Sequence, residues 1–149
     1  MPNGLFGSAP ISRGNYQGVG YTFLDAVATS AYRGMMKLWS VYMNNDVGVA
    51  KVKVFRDDGT NYVFIGESAA LNVVAHSNTG LICAIPVQIG DLIGIYVNEE
   101  VECGVTANGI KYKAGDITAN SLKSGWSSTV GPLSVQGTVY WNKAIVLEI

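Results

Sequence analysis

The segment Leu81–Val97 constrains the fold more than any other part of the chain. It contains two runs of β-branched and aliphatic residues, Leu81–Ile89 and Leu92–Val97, and the pair Gly90-Asp91 separates them. Short apolar runs bounded by turn residues are typical of buried β-strands, because a buried helix would need a longer run with helical periodicity. We therefore interpret the segment as two buried strands of a β-sandwich.

Strand and turn signals recur along the rest of the chain. In Met35–Met43 both faces are largely apolar, as in a central strand, and we expect Trp39 to lie in the core. Val49–Arg56 alternates in the manner of a half-solvated strand, and Asp57-Asp58-Gly59-Thr60 after it is a hairpin turn of the Asp-Gly kind. The spacing predicts an all-β chain, an antiparallel β-sandwich that is jelly-roll-like and has roughly eight to ten short strands.

Three further segments are assigned from their turn residues. Residues 76–80 are predicted to form a polar loop, and Asn108-Gly109 is a second hairpin signal. Residues 113–131 are rich in Gly, Ser and Thr and contain Trp126, so they are predicted to form a long loop of functional importance. The closing pair of predicted strands is Val135–Tyr140 and Ala144–Ile149.

The N-terminal residues 1–20 contain five glycines and two prolines, a composition that does not form a helix. We interpret them as an extended arm in front of a β-sandwich domain spanning residues 21–149. The arm is expected to hold a neighbouring subunit through Leu5, Phe6 and Ile11. The alternative is an arm that lies along its own sandwich.

The charge and hydropathy of the chain narrow the choice of partners. Charged residues make up 14% of the chain and the formal net charge is -1, so no positive field is available to attract nucleic acid or anionic lipid. No segment is long and apolar enough to span a membrane, and the start of the chain lacks the features of a signal peptide. Hydrophobic residues nevertheless reach 48%, and the mean hydropathy is +0.23. We expect the surplus apolar surface to lie between subunits of a homo-oligomer.

No pattern in the sequence indicates catalysis, a metal site or a cofactor. The single histidine, His76, lies among turn residues and has no convincing nucleophile beside it. Cys83 and Cys103 lack the paired spacing of structural zinc sites. They are expected to be buried free thiols, and a disulfide remains open if their strands are neighbours. We therefore expect a protein that is not an enzyme.

Aromatic residues near loops are the candidates for ligand binding. Trp126, Tyr140 and Trp141 fall in or next to predicted loops, and exposed Trp or Tyr rings can stack on sugars or anchor a protein interface. Trp126 lies between Gly125 and a Ser-Ser pair in the longest predicted loop. It is the first of the three to test.

The stretch Val87-Gln88-Ile89-Gly90-Asp91-Leu92-Ile93-Gly94-Ile95-Tyr96 resembles a turn of jelly-roll modules of the tumour-necrosis-factor and complement-C1q type, in which Gly-Asp opens a buried strand. Similar sandwiches occur in phage head-decoration proteins and tail-fibre tips. The resemblance covers about ten residues of 149. It implies a jelly roll packed as a trimer around apolar strand faces.

These observations favour a non-enzymatic virion structural protein, either a capsid decoration protein or a tail component. It would be made as a soluble cytoplasmic chain without a signal peptide and would contact copies of itself and other virion proteins. The alternative is a carbohydrate-binding or receptor-binding module that uses the loop aromatics. Nucleic acid and membrane are not expected as partners.

Overall fold

The computed structural model describes residues 2–142, and in this range the chain is all-β. Its thirteen strands form one antiparallel sheet, with a single 3-10 turn at Lys123–Gly125. The strands are β1 (Asn3–Gly7), β2 (Asn15–Gln17), β3 (Tyr21–Asp25), β4 (Gly34–Met43), β5 (Gly48–Asp57), β6 (Asn61–Glu67), β7 (Leu71–Val73), β8 (His76–Val87), β9 (Leu92–Val97), β10 (Val101–Ala114), β11 (Ser121–Leu122), β12 (Ser127–Leu133) and β13 (Val135–Tyr140).

The sheet has two parts. β1, β13, β4 and β8 are successive neighbours in one part, and β10, β3, β9, β5, β6 and β11 follow each other in the other. In the described residues β4 and β10 are joined by one pair, Val101 and Met43. Strands of the two parts also contact each other face to face, as β6 does with β8 and β13 with β9. This arrangement is consistent with the predicted antiparallel β-sandwich, and the jelly-roll topology stays a prediction.

The apolar core forms where alternate residues of both parts point at each other. Trp39, predicted to be a core residue, is 1% exposed, and Met36 and Met43 of the same strand are fully buried. A smaller cluster packs beside the main core and consists of Leu24, Phe55, Tyr62, Leu92 and Trp126.

The two apolar runs of Leu81–Val97 are confirmed as strands, β8 and β9, and β9 is buried as predicted. The predicted burial of β8 is wrong on one side, since Ile82 is 74% exposed. The two strands do not pair with each other: β8 pairs with β4, whereas β9 pairs with β3 and β5. The connection is fixed at Gly90, whose φ of 92° suits glycine, and at the buried Asp91. The Asp91 carboxylate accepts two hydrogen bonds from Arg56, at 2.8 and 2.9 Å, and one from the Gln88 amide at 2.8 Å.

The hairpin at residues 57–60 is confirmed, because β5 and β6 pair on either side of it. The loop predicted at residues 76–80 is wrong, since these residues form the first part of β8 and Ser77 and Asn78 pair with β4. The prediction that one side of β5 faces solvent is also wrong at Lys53, because this side chain is fully buried.

The hairpin predicted at Asn108-Gly109 is wrong as well. β10 runs through this point without reversing, and its pairing with β12 shifts register on either side of Thr106. Asn108 has a φ of 57°, so the left-handed residue produces an irregularity in a continuous strand. The irregularity lets β10 pair with β2 and β4 at its start and with β3 at its end.

The predicted long loop at residues 113–131 is mostly ordered structure. It contains β11, the 3-10 turn and most of β12. β12 pairs with β10, and β11 pairs with β6.

The N-terminal segment lies along its own sheet, which was the alternative to an arm on a neighbour. β1 pairs with β13 and β2 pairs with β10. Phe6 is 1% exposed and belongs to the core, so its predicted role as an assembly anchor is wrong. Leu5 and Ile11 remain exposed.

The predicted strand Ala144–Ile149 lies outside the described residues. No helix within residues 2–142 is long and apolar enough to cross a membrane.

Candidate functional site

The outward side of β1, β13, β4 and β8, which we call the outer face, is a candidate binding surface. Cross-strand pairing places Leu5 beside Thr138, Thr138 beside Leu38 and Leu38 beside Ile82. A second row runs parallel to the first. It consists of Asn3, Tyr140, Met35 and Pro86.

The outer face carries almost no charge. Among the described residues of its four strands, Lys37 is the only Asp, Glu, Lys or Arg. Ile82 is 74% exposed, and Leu5 and Met35 are also exposed. The outward positions of these strands mix apolar residues with uncharged polar ones such as Thr138 and Ser40, so the face is distinguished by its lack of charge and by its exposed aliphatic side chains.

Strand β8 adds an edge to this surface. It has twelve residues, and within residues 2–142 β4 is the strand that pairs with it. A long, uncharged edge strand presents backbone N–H and C=O groups that can pair with another strand. The outer face and this edge, which is unpaired within residues 2–142, therefore belong to one contiguous surface.

A cleft of about 490 Å³ lies beside the second row of the outer face. The rings of Tyr32 and Trp141 stack in it at a centroid distance of 5.1 Å and an interplanar angle of 12°. Tyr140 and Arg33 complete its aromatic and charged lining. A side chain on Gly4 would collide with the Tyr32 ring, so glycine at this position lets β1 approach the stack. The predicted residues Tyr140 and Trp141, which are neighbours in sequence, both line this cleft, and the fold brings Tyr32 to them.

Trp126 is not part of this cleft, and the prediction that its ring is exposed in a loop is wrong. Its side chain is 7% exposed and packs edge-on against Phe55 and Tyr62, with centroid distances of 5.7 and 5.4 Å. Its indole N–H donates to Ser121 Oγ at 2.8 Å. The 3-10 turn folds the chain so that this ring closes the smaller apolar cluster.

A group of four charged side chains was missed by sequence reasoning. The buried Lys53 Nζ lies 2.5 Å from Asp116 Oδ1 and 2.6 Å from Glu67 Oε1. Lys51 Nζ lies 2.5 Å from the other oxygen of Asp116. Burial alone would raise the pKa of Asp116, but the hydrogen bonds from Lys51 and Lys53 outweigh it and lower that pKa. In the sequence, the only trace of the group is a Lys at an apolar position of β5.

The remaining reactive side chains do not form a site. The His76 ring stacks on Tyr42 at 5.6 Å and lies in hydrogen-bond contact with Asn45. Cys83 and Cys103 are free and buried, as predicted, and burial raises the pKa of Cys83 to about 12. No group of three or more His, Cys, Asp or Glu residues that could hold a metal ion is found among residues 2–142.

Comparisons with protein-family models, with curated proteins and with solved structures give no match. Function is therefore inferred from the outer face and the cleft.

Proposed function

We propose that the protein is a non-enzymatic virion structural protein, a capsid decoration or tail component, that assembles with copies of itself through the outer face. The observation that carries the proposal is the nearly uncharged outward side of β1, β13, β4 and β8, on which Leu5, Met35 and Ile82 are exposed. Removal of such a surface from water stabilises association, and no array of charges has to be desolvated first.

A second copy of the chain is the occupant that fits this surface best. Two identical faces that each hold one Lys bring little like charge together, and the open edge of β8 offers the same hydrogen-bonding groups on both copies. The four strands cover roughly 500 Å² in projection, as estimated from ordinary strand spacing and rise. A stable interface buries ~800 Å² per partner, so a stable pair has to bury essentially the whole outer face.

The virion setting rests on the sequence. The chain is poor in Lys and Glu and rich in Gly, Val, Asn, Ser and Thr, as expected for an exposed β protein of a particle. The jelly-roll resemblance at Val87–Tyr96 implies a trimer, whereas identical outer faces that meet directly form a two-fold pair, and the oligomeric mass distinguishes the two. The setting predicts that the chain co-sediments with purified particles, and its absence from them would contradict the assignment.

The assembly test replaces one exposed residue of the outer face by a charged one. Ile82→Asp removes an apolar side chain that is 74% exposed in the single chain. Burial of an Ile contributes about 1.5–3 kcal/mol, so loss from both sides of an interface weakens association about a hundredfold or more. Light scattering coupled to size exclusion should show an oligomer for the wild type and a single chain for the variant.

The matched control is Val105→Asp, because Val105 is 76% exposed and lies in β10, outside the outer face. This variant should keep the oligomeric mass. Equal loss of assembly in both variants, or a wild type that stays a single chain, would contradict the role of the outer face.

A second function, carbohydrate or receptor binding, is favoured by the cleft. The stacked Tyr32 and Trp141 rings with Tyr140 and Arg33 resemble the mix of aromatic and polar groups that holds a sugar. A glycan array should then show a signal for the wild type that Trp141→Ala abolishes. Tyr16→Ala is the control, since Tyr16 is an exposed aromatic outside the cleft. A wild type without any glycan signal would contradict this function.

A further inference from the structure

Lys53 occupies an unusual position for a lysine. Its side chain is 0% exposed, and its ammonium group contacts the carboxylates of Asp116 and Glu67. It also donates to the Ile117 carbonyl at 2.9 Å, and the Phe64 ring centroid lies 5.5 Å from Nζ. A lysine is rarely buried completely, because removing its charge from water costs several kcal/mol unless partners compensate.

The three groups are held in place by different elements. Lys53 and Glu67 are direct cross-strand partners of β5 and β6. Asp116 lies in the turn after β10, which the buried Thr22 fixes on both sides. The Thr22 hydroxyl donates to the Gly115 carbonyl at 2.8 Å and accepts from the Ile117 amide at 2.9 Å. Nucleophile and carboxyl are thus oriented before any reaction, which is the condition under which an intramolecular step becomes fast.

We propose that Lys53 and Asp116 condense to form an intramolecular isopeptide bond. The Nζ–Cγ bond forms and the Cγ–Oδ1 bond of Asp116 breaks. Nζ loses two protons and Oδ1 gains both, so one water leaves and the charged pair becomes a neutral amide. The reaction needs no oxidant, reductant or further reactant.

Glu67 is placed to move these protons. Its Oε1 lies 2.6 Å from Lys53 Nζ, on the same ammonium group that contacts Asp116 Oδ1. A carboxylate within hydrogen-bond distance of the nucleophile can accept a proton from nitrogen and donate it to the departing oxygen.

Lys51 distinguishes the two carboxyl groups as acceptors. Its Nζ lies 2.5 Å from Asp116 Oδ2 but 3.6 Å from Glu67 Oε2. Attack at a carboxyl carbon develops negative charge on the oxygen that stays, and a cation already in contact with that oxygen stabilises the transition state. The bond is therefore assigned to Asp116.

Burial of Lys53 supplies the driving force. Its side chain is 0% exposed, whereas those of Glu67 and Asp116 are 26% and 29% exposed, so the ammonium group is the charge that loses most hydration in the folded chain. Condensation replaces this buried charge by a neutral amide. The product ties β5 to the turn that follows β10, and this inference is independent of the proposed assembly.

The test is the intact mass of the purified, folded full-length chain. The mass should be lower than the sequence mass by one water. Trypsin should release the peptides spanning residues 52–56 and 114–123 as one linked species. The ion pair Lys123–Asp57, at 2.7 Å and partly exposed, is an internal control and should stay unlinked.

Two variants check the assignment. Asp116→Ala should restore the full sequence mass. Glu67→Gln keeps both reacting groups but removes the carboxylate that accepts the proton, so unlinked chain should accumulate. An unchanged mass in the folded wild type overturns the proposal, and so does a bond between any other pair of residues. Linkage in Glu67→Gln at the wild-type rate overturns the role of Glu67.

Discussion

Replacement of Trp126 by Ala should destabilise the fold and leave any ligand binding intact. A buried Trp removes about 150–250 Å² from water, worth roughly 4–6 kcal/mol at about 25 cal/mol per Å². Compactness of the unfolded chain lowers this figure, and the lost ring contacts with Phe55 and Tyr62 add to it. We therefore expect a loss of about 3–5 kcal/mol in the free energy of unfolding, the usual range for Trp→Ala in a core.

Urea denaturation followed by far-UV circular dichroism measures this loss. Trp126→Phe is the matched variant: it keeps a ring between Phe55 and Tyr62 but removes the indole donor to Ser121, so about 1–2 kcal/mol should be lost. A Trp126→Ala protein within about 1 kcal/mol of the wild type would refute the reasoning. Loss of a glycan signal at unchanged stability would refute it as well.

Three further outcomes are expected. Gly109→Ala should lower the free energy of unfolding by about 1–3 kcal/mol in urea denaturation, because a Cβ would lie 2.7 Å from the backbone of β12. Gly18 has open space around it, so Gly18→Ala should change this free energy by less than about 1 kcal/mol. Cys83 and Cys103 should resist a thiol reagent in the folded protein and both react in denaturant, since burial raises their pKa values. Burial raises the folded-state pKa of Asp25 above the ordinary value of 3.8, against the hydrogen bonds it accepts. The folded state therefore binds the proton of Asp25 more tightly than the unfolded state does. The free energy of unfolding should fall as the pH rises from 3.8 through the raised pKa. Asp25→Asn should remove this pH dependence in urea titrations at several pH values.

The sequence predicted the local features of the fold well. Continuous apolar runs identified β8 and β9, two apolar faces identified β4 and alternation identified β5, while the Asp-Gly turn at residues 57–60 identified the β5–β6 hairpin. These signals lie within a few residues of each other, so local propensity determines them.

Features that depend on distant strands could not be read from the sequence. Asn108-Gly109 has the composition of a hairpin turn, but pairing of β10 with β12 and β3 holds the strand straight through it. Phe6 lies in a Gly-rich segment that was predicted to be an extended arm, and it is buried because β1 pairs with β13 and its ring packs in the core. Lys53 appeared solvent-facing because its counter-ion Asp116 is more than sixty residues away.

The candidate site was predicted only in part. Tyr140 and Trp141 come together in the cleft, but Tyr32 joins them through the fold and could not be placed from sequence. The composition predicted surplus apolar surface between subunits, but it did not indicate which strands carry that surface. Cross-strand register supplies the location, since it aligns Leu5, Leu38 and Ile82 in one row.

Sedimentation equilibrium of the wild-type chain over a wide concentration range tests the central claim most directly. Association through the outer face predicts a mass that is a multiple of the single chain and falls to one chain on dilution. A mass of one chain at every concentration, up to the highest that stays in solution, would contradict the account.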